Sequence, residues 1–390
     1  MIQIPERVSA ARRLARVRPT DVVLASTRLY SSLPLVGKYL EPFAGLTALA
    51  LWGHQYAPSI LSAAVVRRTA ANAPPPATGQ QADDDAAADL FDSNGDRVPP
   101  FVRARAQRRQ WLYRSSIRYG DDPAQLLDIW RQPVLPAHPA PVLLFVPGGA
   151  WVRGSRVLQG HTLLAHLVKQ GWVCVPIDYR VSPVHRWPRH ITDVNAAIAW
   201  ARANIGRYGG DPGFVAVAGC SAGGHLAALA GLTPGDPAFR GELARNADTS
   251  VDAVVGIYGR YDWQDRSTAI RRTFQRFLEQ VVVGRSQSRH PDIFTAASPV
   301  ARIHKKAPPF LIVHGEQDGL IPVDEARHFY RTLRAVSGSP VEYVEMRRAG
   351  HAFDLVTTSH ARYLANATTD FLTTVHKSHI AEQVAASVGS

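Results

Sequence analysis

Cysteine is nearly missing from this chain: Cys174 and Cys220 are the only two in 390 residues. Two thiols exclude a disulfide framework. Cys174 falls in the apolar run 172–177 and reads as a buried thiol, and Cys220 reads as packing beside Ser221. Long hydrophobic runs are missing as well. Residues 43–52 are apolar but too short to span a bilayer, and Gly53-His54-Gln55 interrupts the pattern before it resumes at 57–66. The N-terminal region has no compact apolar segment ending in a small-residue cleavage site, which argues against a cleavable signal peptide.

Acidic side chains are the third shortage, with 32 against 44 basic ones and a net charge of +12. Such a surplus raises nucleic acid or an anionic membrane surface as partners. No RNA- or DNA-binding motif accompanies it, so nucleic acid is set aside. Through Arg68 nine basic residues face only Glu6, Asp21 and Glu41, and six arginines lie between Arg103 and Arg118 with no acid among them. The surplus reads as a solvated basic surface, with attraction to anionic lipid as the alternative. The expected location is the cytoplasm, with peripheral membrane contact through the N-terminal segment as an option.

What the chain does have is a hydrophobic content of 46%, enough for a sizeable core, and length for one large domain plus an appendage. Residues 70–91 are low in complexity and rich in alanine, proline and aspartate, and they read as a flexible linker. They divide an N-terminal helical segment at 1–69, a cap or a membrane-surface anchor, from a catalytic domain at 92–378 and a tail at 379–390. Asp92-Ser93-Asn94-Gly95-Asp96 has the look of a calcium loop but lacks the downstream glutamate. It reads as a polar turn, and no metal site is expected.

Beyond Tyr113 strand and helix patterns alternate, which predicts an α/β architecture with a mostly parallel, doubly wound sheet and helices on both faces. The strand-like runs are 142–146, 172–177, 214–218, 251–258, 310–313 and 341–344. Ile191, Val194, Ile198, Ala201 and Ile205 recur at helical spacing and form one apolar stripe. Helical patterns also fit 158–169, 222–232, 324–335 and 360–375. The polar stretch 262–290, amphipathic around 274–283, reads as a lid-like excursion over the site.

Ser221 sits in Gly219-Cys220-Ser221-Ala222-Gly223-Gly224, between the strand run 214–218 and a helix-prone run. Gly219 and Gly223 allow the sharp turn that lifts a serine hydroxyl to the top of a sheet, at the N-terminus of the next helix. There, free backbone N–H groups and the helix dipole favour developing negative charge. A serine hydroxyl is a poor nucleophile unless a base, an acid that orients the base, and oxyanion donors are supplied. Catalytic groups gather at the carboxyl ends of strands. Asp318 follows the run 310–313 and His351 follows 341–344 in a glycine-led loop. The chain order Ser221, Asp318, His351 is the order expected of this strand–turn–helix nucleophile. Glu316 and Asp324 are alternative acids. Gly149 and Ala150, after the run 142–146 and Pro147-Gly148, join Ala222 as candidate oxyanion donors.

These motifs resemble the hormone-sensitive-lipase-like and related carboxylesterase branch of the α/β-hydrolase family, over roughly 119–375. Pro147-Gly148-Gly149-Ala150-Trp151 stands where that family has His-Gly-Gly-Gly-aromatic. Asp178-Tyr179-Arg180-Val181-Ser182-Pro183 is similar to its Asp-Tyr-Arg-Leu-Ala-Pro, and Tyr208-Gly209-Gly210-Asp211-Pro212 to its lead-in to the nucleophile strand. The elbow departs from Gly-Asp-Ser-Ala-Gly-Gly only at Cys220. The resemblance implies the α/β-hydrolase fold, esterase activity on small-molecule or lipid esters through an acyl-enzyme, and no cofactor. Pro147 cannot make the hydrogen bonds of the family's histidine, although its fixed φ can stiffen the loop. An arylformamidase-like amidase would use the same parts. A non-catalytic binding protein on the hydrolase fold is the rival of another class.

Overall fold

The computed structural model describes residues 100–388, apart from 135–137, 158 and 357. All of these lie in the second of the two units into which the chain divides, Pro75–Ser390. The N-terminal segment, the linker at 70–91 and the polar turn at 92–96 lie outside the described residues.

Eight strands form one sheet: β1 (Leu112–Arg118), β2 (Leu126–Trp130), β3 (Ala140–Val146), β4 (Val173–Pro176), β5 (Gly210–Cys220), β6 (Ala253–Ile257), β7 (Phe310–Gly315) and β8 (Val341–Met346). Their order is β1-β2-β4-β3-β5-β6-β7-β8. From β4 to β8 every neighbouring pair is parallel, whereas β1 and β2 run antiparallel at one edge. β6 and β7 are buried at every position, and β3 nearly so. Strands covered on both faces need near-continuous apolar runs, which is why these could be read from the sequence.

Leu143, Phe145, Ala216, Ala218, Val255 and Leu311 join one core cluster with α2 (His161–Lys169) and α7 (Thr358–Val388). The alternate residues Leu144, Val217 and Val254 are buried on the opposite face. There α3 (Arg189–Asn204) packs against α4 (Ala222–Leu232), and Val254 presses on Gly231 of α4. Ile191, Val194, Ile198 and Ala201 are the buried face of α3, as their spacing predicts, and Ile205 continues it in a short 3₁₀ turn.

The sheet differs from expectation at its antiparallel edge. β1 is mostly exposed and carries no apolar alternation, so it gives no strand signal. It is held through Asp128 of β2, a fully buried carboxylate that accepts from Arg108 at 2.8 Å, Arg156 at 2.8 Å and Ser115 at 2.9 Å. Arg108 belongs to α1 (Pro100–Trp111). The stretch 262–290 contains α5 (Ala269–Phe277), whose Phe274 and Phe277 are buried. α6 (Val323–Val336) links β7 to β8, and α7 runs on to Val388, through most of the segment set apart as a tail.

Register aligns the strand ends that matter. Val146 pairs with Gly219, Cys220 with Ile257, Ile257 with Val313, and Val313 with Val344. The loops after β3, β5, β7 and β8 therefore emerge along one edge of the sheet.

Candidate active site

Ser221 is the single residue between β5 and α4, with φ 54° and ψ −116°. A non-glycine residue held there stores on the order of 1–3 kcal/mol of strain. The surroundings hold it in place. A Cβ on Gly219 would lie 2.2 Å from the carbonyl of Gly223, and one on Gly223 would lie 2.0 Å from the carbonyl of Val146. Both flanks must be glycine for β5, the turn and β3 to close up. The Ser221 amide donates to the Ile257 carbonyl at 2.9 Å, which ties the turn to β6.

The loops after β7 and β8 bring two further side chains to this hydroxyl. His351 Nε2 lies 2.9 Å from Ser221 Oγ, and His351 Nδ1 lies 2.8 Å from Asp318 Oδ2. The other Asp318 oxygen accepts the amides of Leu320 at 2.9 Å and Ile321 at 2.8 Å. Burial by itself would raise the Asp318 pKa, but attraction to His351 and hydrogen bonding to His314 outweigh it. The carboxyl is held well below the usual carboxylate range. The alternative acids are engaged elsewhere. Glu316 accepts the Arg348 amide at 3.0 Å, and Asp324 pairs with Arg327 at 3.1 Å on the surface.

The loop after β3 turns sharply: Gly149, Ala150 and Trp151 all have positive φ (133°, 53° and 60°). The Gly149 carbonyl accepts from Val152 at 3.1 Å and Arg153 at 3.0 Å. The amides of Gly149 and Ala150 have no acceptor among the described residues. The Ala222 amide, first in α4, is one of the helix N–H groups without an intrahelical acceptor. Gly148 differs, because its amide is already taken by Gln159 Oε1 at 2.6 Å. Among the described residues no cluster of three or more histidine, cysteine, aspartate or glutamate side chains is arranged to hold a metal ion.

The BD-FAE family profile matches residues 127–333. Esterase LipC of Mycobacterium tuberculosis is 52% identical over 384 residues, covering 95% of each chain. The chain belongs to the α/β-hydrolase carboxylesterase family. The probable carboxylic ester hydrolase LipM of the same organism is 44% identical over 72% of this carboxylesterase and 65% of its own length. Thermogutta terrifontis esterase 2, in a structure phosphonylated by sarin, shares the fold. Its TM-score is 0.59 at 22% identity, over 67% of this chain and 95% of that one. The carboxylesterase thus hydrolyses carboxylic esters of small-molecule substrates.

Several neighbours of the site carry no motif that points to them. His314, at the end of β7, places Nε2 3.3 Å from Asp318 Oδ2 and 2.9 Å from the Ile321 carbonyl. Tyr258, just past β6, sets its ring against that of His351, with centroids 4.8 Å apart. Its hydroxyl donates to Asp354, and the buried Cys220 thiol approaches the same carboxylate at 4.0 Å. Burial raises the Asp354 pKa above the ordinary carboxylate value and pushes the Cys220 thiol up as well. A thiol so buried stays protonated, which disfavours it as a nucleophile. From the loop after β3, Trp151 Nε1 donates to His225 Nδ1 at 3.2 Å, and His225 Nε2 donates to the Ala297 carbonyl at 2.7 Å. Asp354 could have been suspected from its place three residues after His351, and Cys220 and Trp151 lie within the motifs already quoted; His314, Tyr258 and His225 meet the site only through the fold.

Proposed function

We propose that the carboxylesterase cleaves its esters through an acyl-enzyme in which Ser221 is the nucleophile, His351 the base and Asp318 the orienting carboxylate. The observation that carries this reading is the unbroken relay from Ser221 Oγ to His351 to Asp318, with links of 2.9 and 2.8 Å. Nδ1–H donates to Asp318, so Nε2 is the nitrogen left to accept the serine proton. Ser221 Oγ attacks the ester carbonyl as its proton moves to Nε2, and the carbonyl oxygen becomes an oxyanion facing the amides of Gly149, Ala150 and Ala222. The tetrahedral adduct collapses as Nε2 returns the proton to the departing alkoxide. Water, deprotonated by the same nitrogen, then attacks the acyl carbon; the bond to Ser221 Oγ breaks, Nε2 returns the proton to that oxygen, and the acid is released.

Fluorophosphonate labelling tests the assignment. The wild-type chain should be labelled at Ser221 and lose esterase activity in step, whereas Ser221→Ala should be unlabelled, folded and inactive. Equal labelling of the two proteins would refute the nucleophile. A p-nitrophenyl ester series from acetate to palmitate, beside matching anilides, then separates small esters from lipid esters and esters from amides.

The N-terminal residues 1–69 supply a second element of the proposal, a segment that lies on anionic lipid and is joined to the catalytic domain by the linker at 70–91. The apolar stretches 43–52 and 57–66 and the basic surplus through Arg68 support it. Among the described residues no helix is long and apolar enough to cross a membrane.

A further inference from the structure

We propose that Gln159 is a positioning residue for the oxyanion loop, acting through its hydrogen bond to the Gly148 amide. The inference rests on the proposed role of the Gly149 and Ala150 amides as oxyanion donors.

Three consecutive residues of positive φ form no repeating structure, so the loop needs outside contacts to keep one shape. Pro147 offers neither an N–H nor a polar side chain. Its carbonyl accepts the buried Tyr179 hydroxyl at 3.0 Å. The next amide, that of Gly148, donates to Gln159 Oε1 at 2.6 Å. That N–H is a donor, so the side-chain atom facing it must be the amide oxygen. The loop is thus held from both sides just before its two free amides.

Gly148 also touches the nucleophile turn. A Cβ there would lie 2.7 Å from the Cys220 carbonyl oxygen and 3.1 Å from Ser221 Cβ. Whatever fixes Gly148 therefore sets the distance between the oxyanion donors and Ser221. Gln159 is itself well placed to do so. It precedes Gly160, which has φ 74° and presses against the Phe145 ring of β3, where an added Cβ would come within 2.7 Å. The entry to α2 is thereby clamped on the strand that leads into the oxyanion loop. Without the Gln159 oxygen, the Gly148 amide would lose its acceptor, and the free amides would drift by fractions of an ångström, to which oxyanion stabilisation is sensitive.

Gln159→Met keeps the side-chain length and removes the acceptor, whereas Gln159→Glu retains an oxygen. For Gln159→Met we expect kcat on p-nitrophenyl acetate to fall about tenfold to a hundredfold, less than for deletion of a donor itself. KM should change less than about twofold, and melting temperature should fall by only a few degrees for the one lost acceptor. Gln159→Glu should recover most of the rate. A trifluoromethyl ketone, which becomes a tetrahedral oxyanion on the serine, should weaken in proportion to kcat/KM. An unreactive ether isostere of the substrate should bind as before. Wild-type kcat in Gln159→Met, or equal weakening of ketone and ether, overturns the proposal. Failure of the underlying mechanism would show separately, as retained activity in Ser221→Ala and no tight ketone binding to the wild-type chain.

Discussion

His314 and His351 approach the same oxygen of Asp318: Nε2 of His314 at 3.3 Å and Nδ1 of His351 at 2.8 Å. The Ile321 carbonyl, 2.9 Å from His314 Nε2, can only accept, so that nitrogen carries a proton which it shares between Ile321 and Asp318. His314 is fully buried at the end of β7, where it holds the same carboxylate oxygen as His351. Replacing it with leucine would leave the Ile321 carbonyl without its donor and Asp318 with one fewer. We expect His314→Leu to lose about 1–3 kcal/mol of stability and roughly tenfold in kcat, since the orientation of His351 would loosen. Urea denaturation and steady-state kinetics check the two losses. A variant that matches wild type in both would show that the contact is incidental.

Members of a catalytic relay act as a unit, so their removal is not additive. Asp318→Ala and His351→Ala should each lower kcat by orders of magnitude with little change in KM. The double variant should be scarcely slower than His351→Ala alone. Losses that multiply in the double variant would mean that the two side chains act independently. Full activity in Asp318→Ala with loss in Glu316→Ala would reassign the acid.

Acid should destabilise the protein well above the carboxylate range. Burial pushes the imidazoles of His190 and His225 down to about 3 and that of His161 to about 4, from an ordinary 6.5. His225 has an acceptor for one N–H and a donor on its other nitrogen, so a second proton has no acceptor. The unfolded chain takes up these protons below pH 6.5 and the folded chain does not. Stability is therefore complete above pH 6.5 and falls as pH drops toward 4 and then 3. Each histidine contributes a slope of up to about 1.4 kcal/mol per pH unit. Urea midpoints measured from pH 7.5 to 4.5 should be flat and then decline, with a shallower decline in His225→Gln. A midpoint independent of pH down to 5 would contradict the burial of these rings.

If residues 1–69 lie on anionic lipid, the full chain should sediment with phosphatidylglycerol vesicles at low salt and be released as salt screens the attraction. A chain shortened to begin at Asp92 should remain soluble, hydrolyse a short ester and lose the vesicles. Aggregation of the shortened chain would instead assign 43–52 and 57–66 to packing on the catalytic domain.

The amino-acid sequence by itself determined the parallel centre of the sheet, the turn around Ser221 and the order of Ser221, Asp318 and His351. Those features are local. A strand buried on both faces must be apolar throughout, and a serine held at φ 54° between β5 and α4 tolerates nothing but glycine at 219 and 223. Tertiary structure alone decided the rest. β1 is tied to the sheet edge through Asp128 of β2, whose buried charge Arg108 and Arg156 neutralise from elsewhere in the chain, and no period of two in β1 announces it. The choice of Asp318 over Glu316 turns on which carboxylate the β7 loop aims at His351, since both follow the same strand. His314, Tyr258 and Gln159 join the site through contacts made only when separate strand ends are brought to one edge. Which side chains meet there depends on the register of the sheet, and register is a property of the packed chain rather than of any single segment.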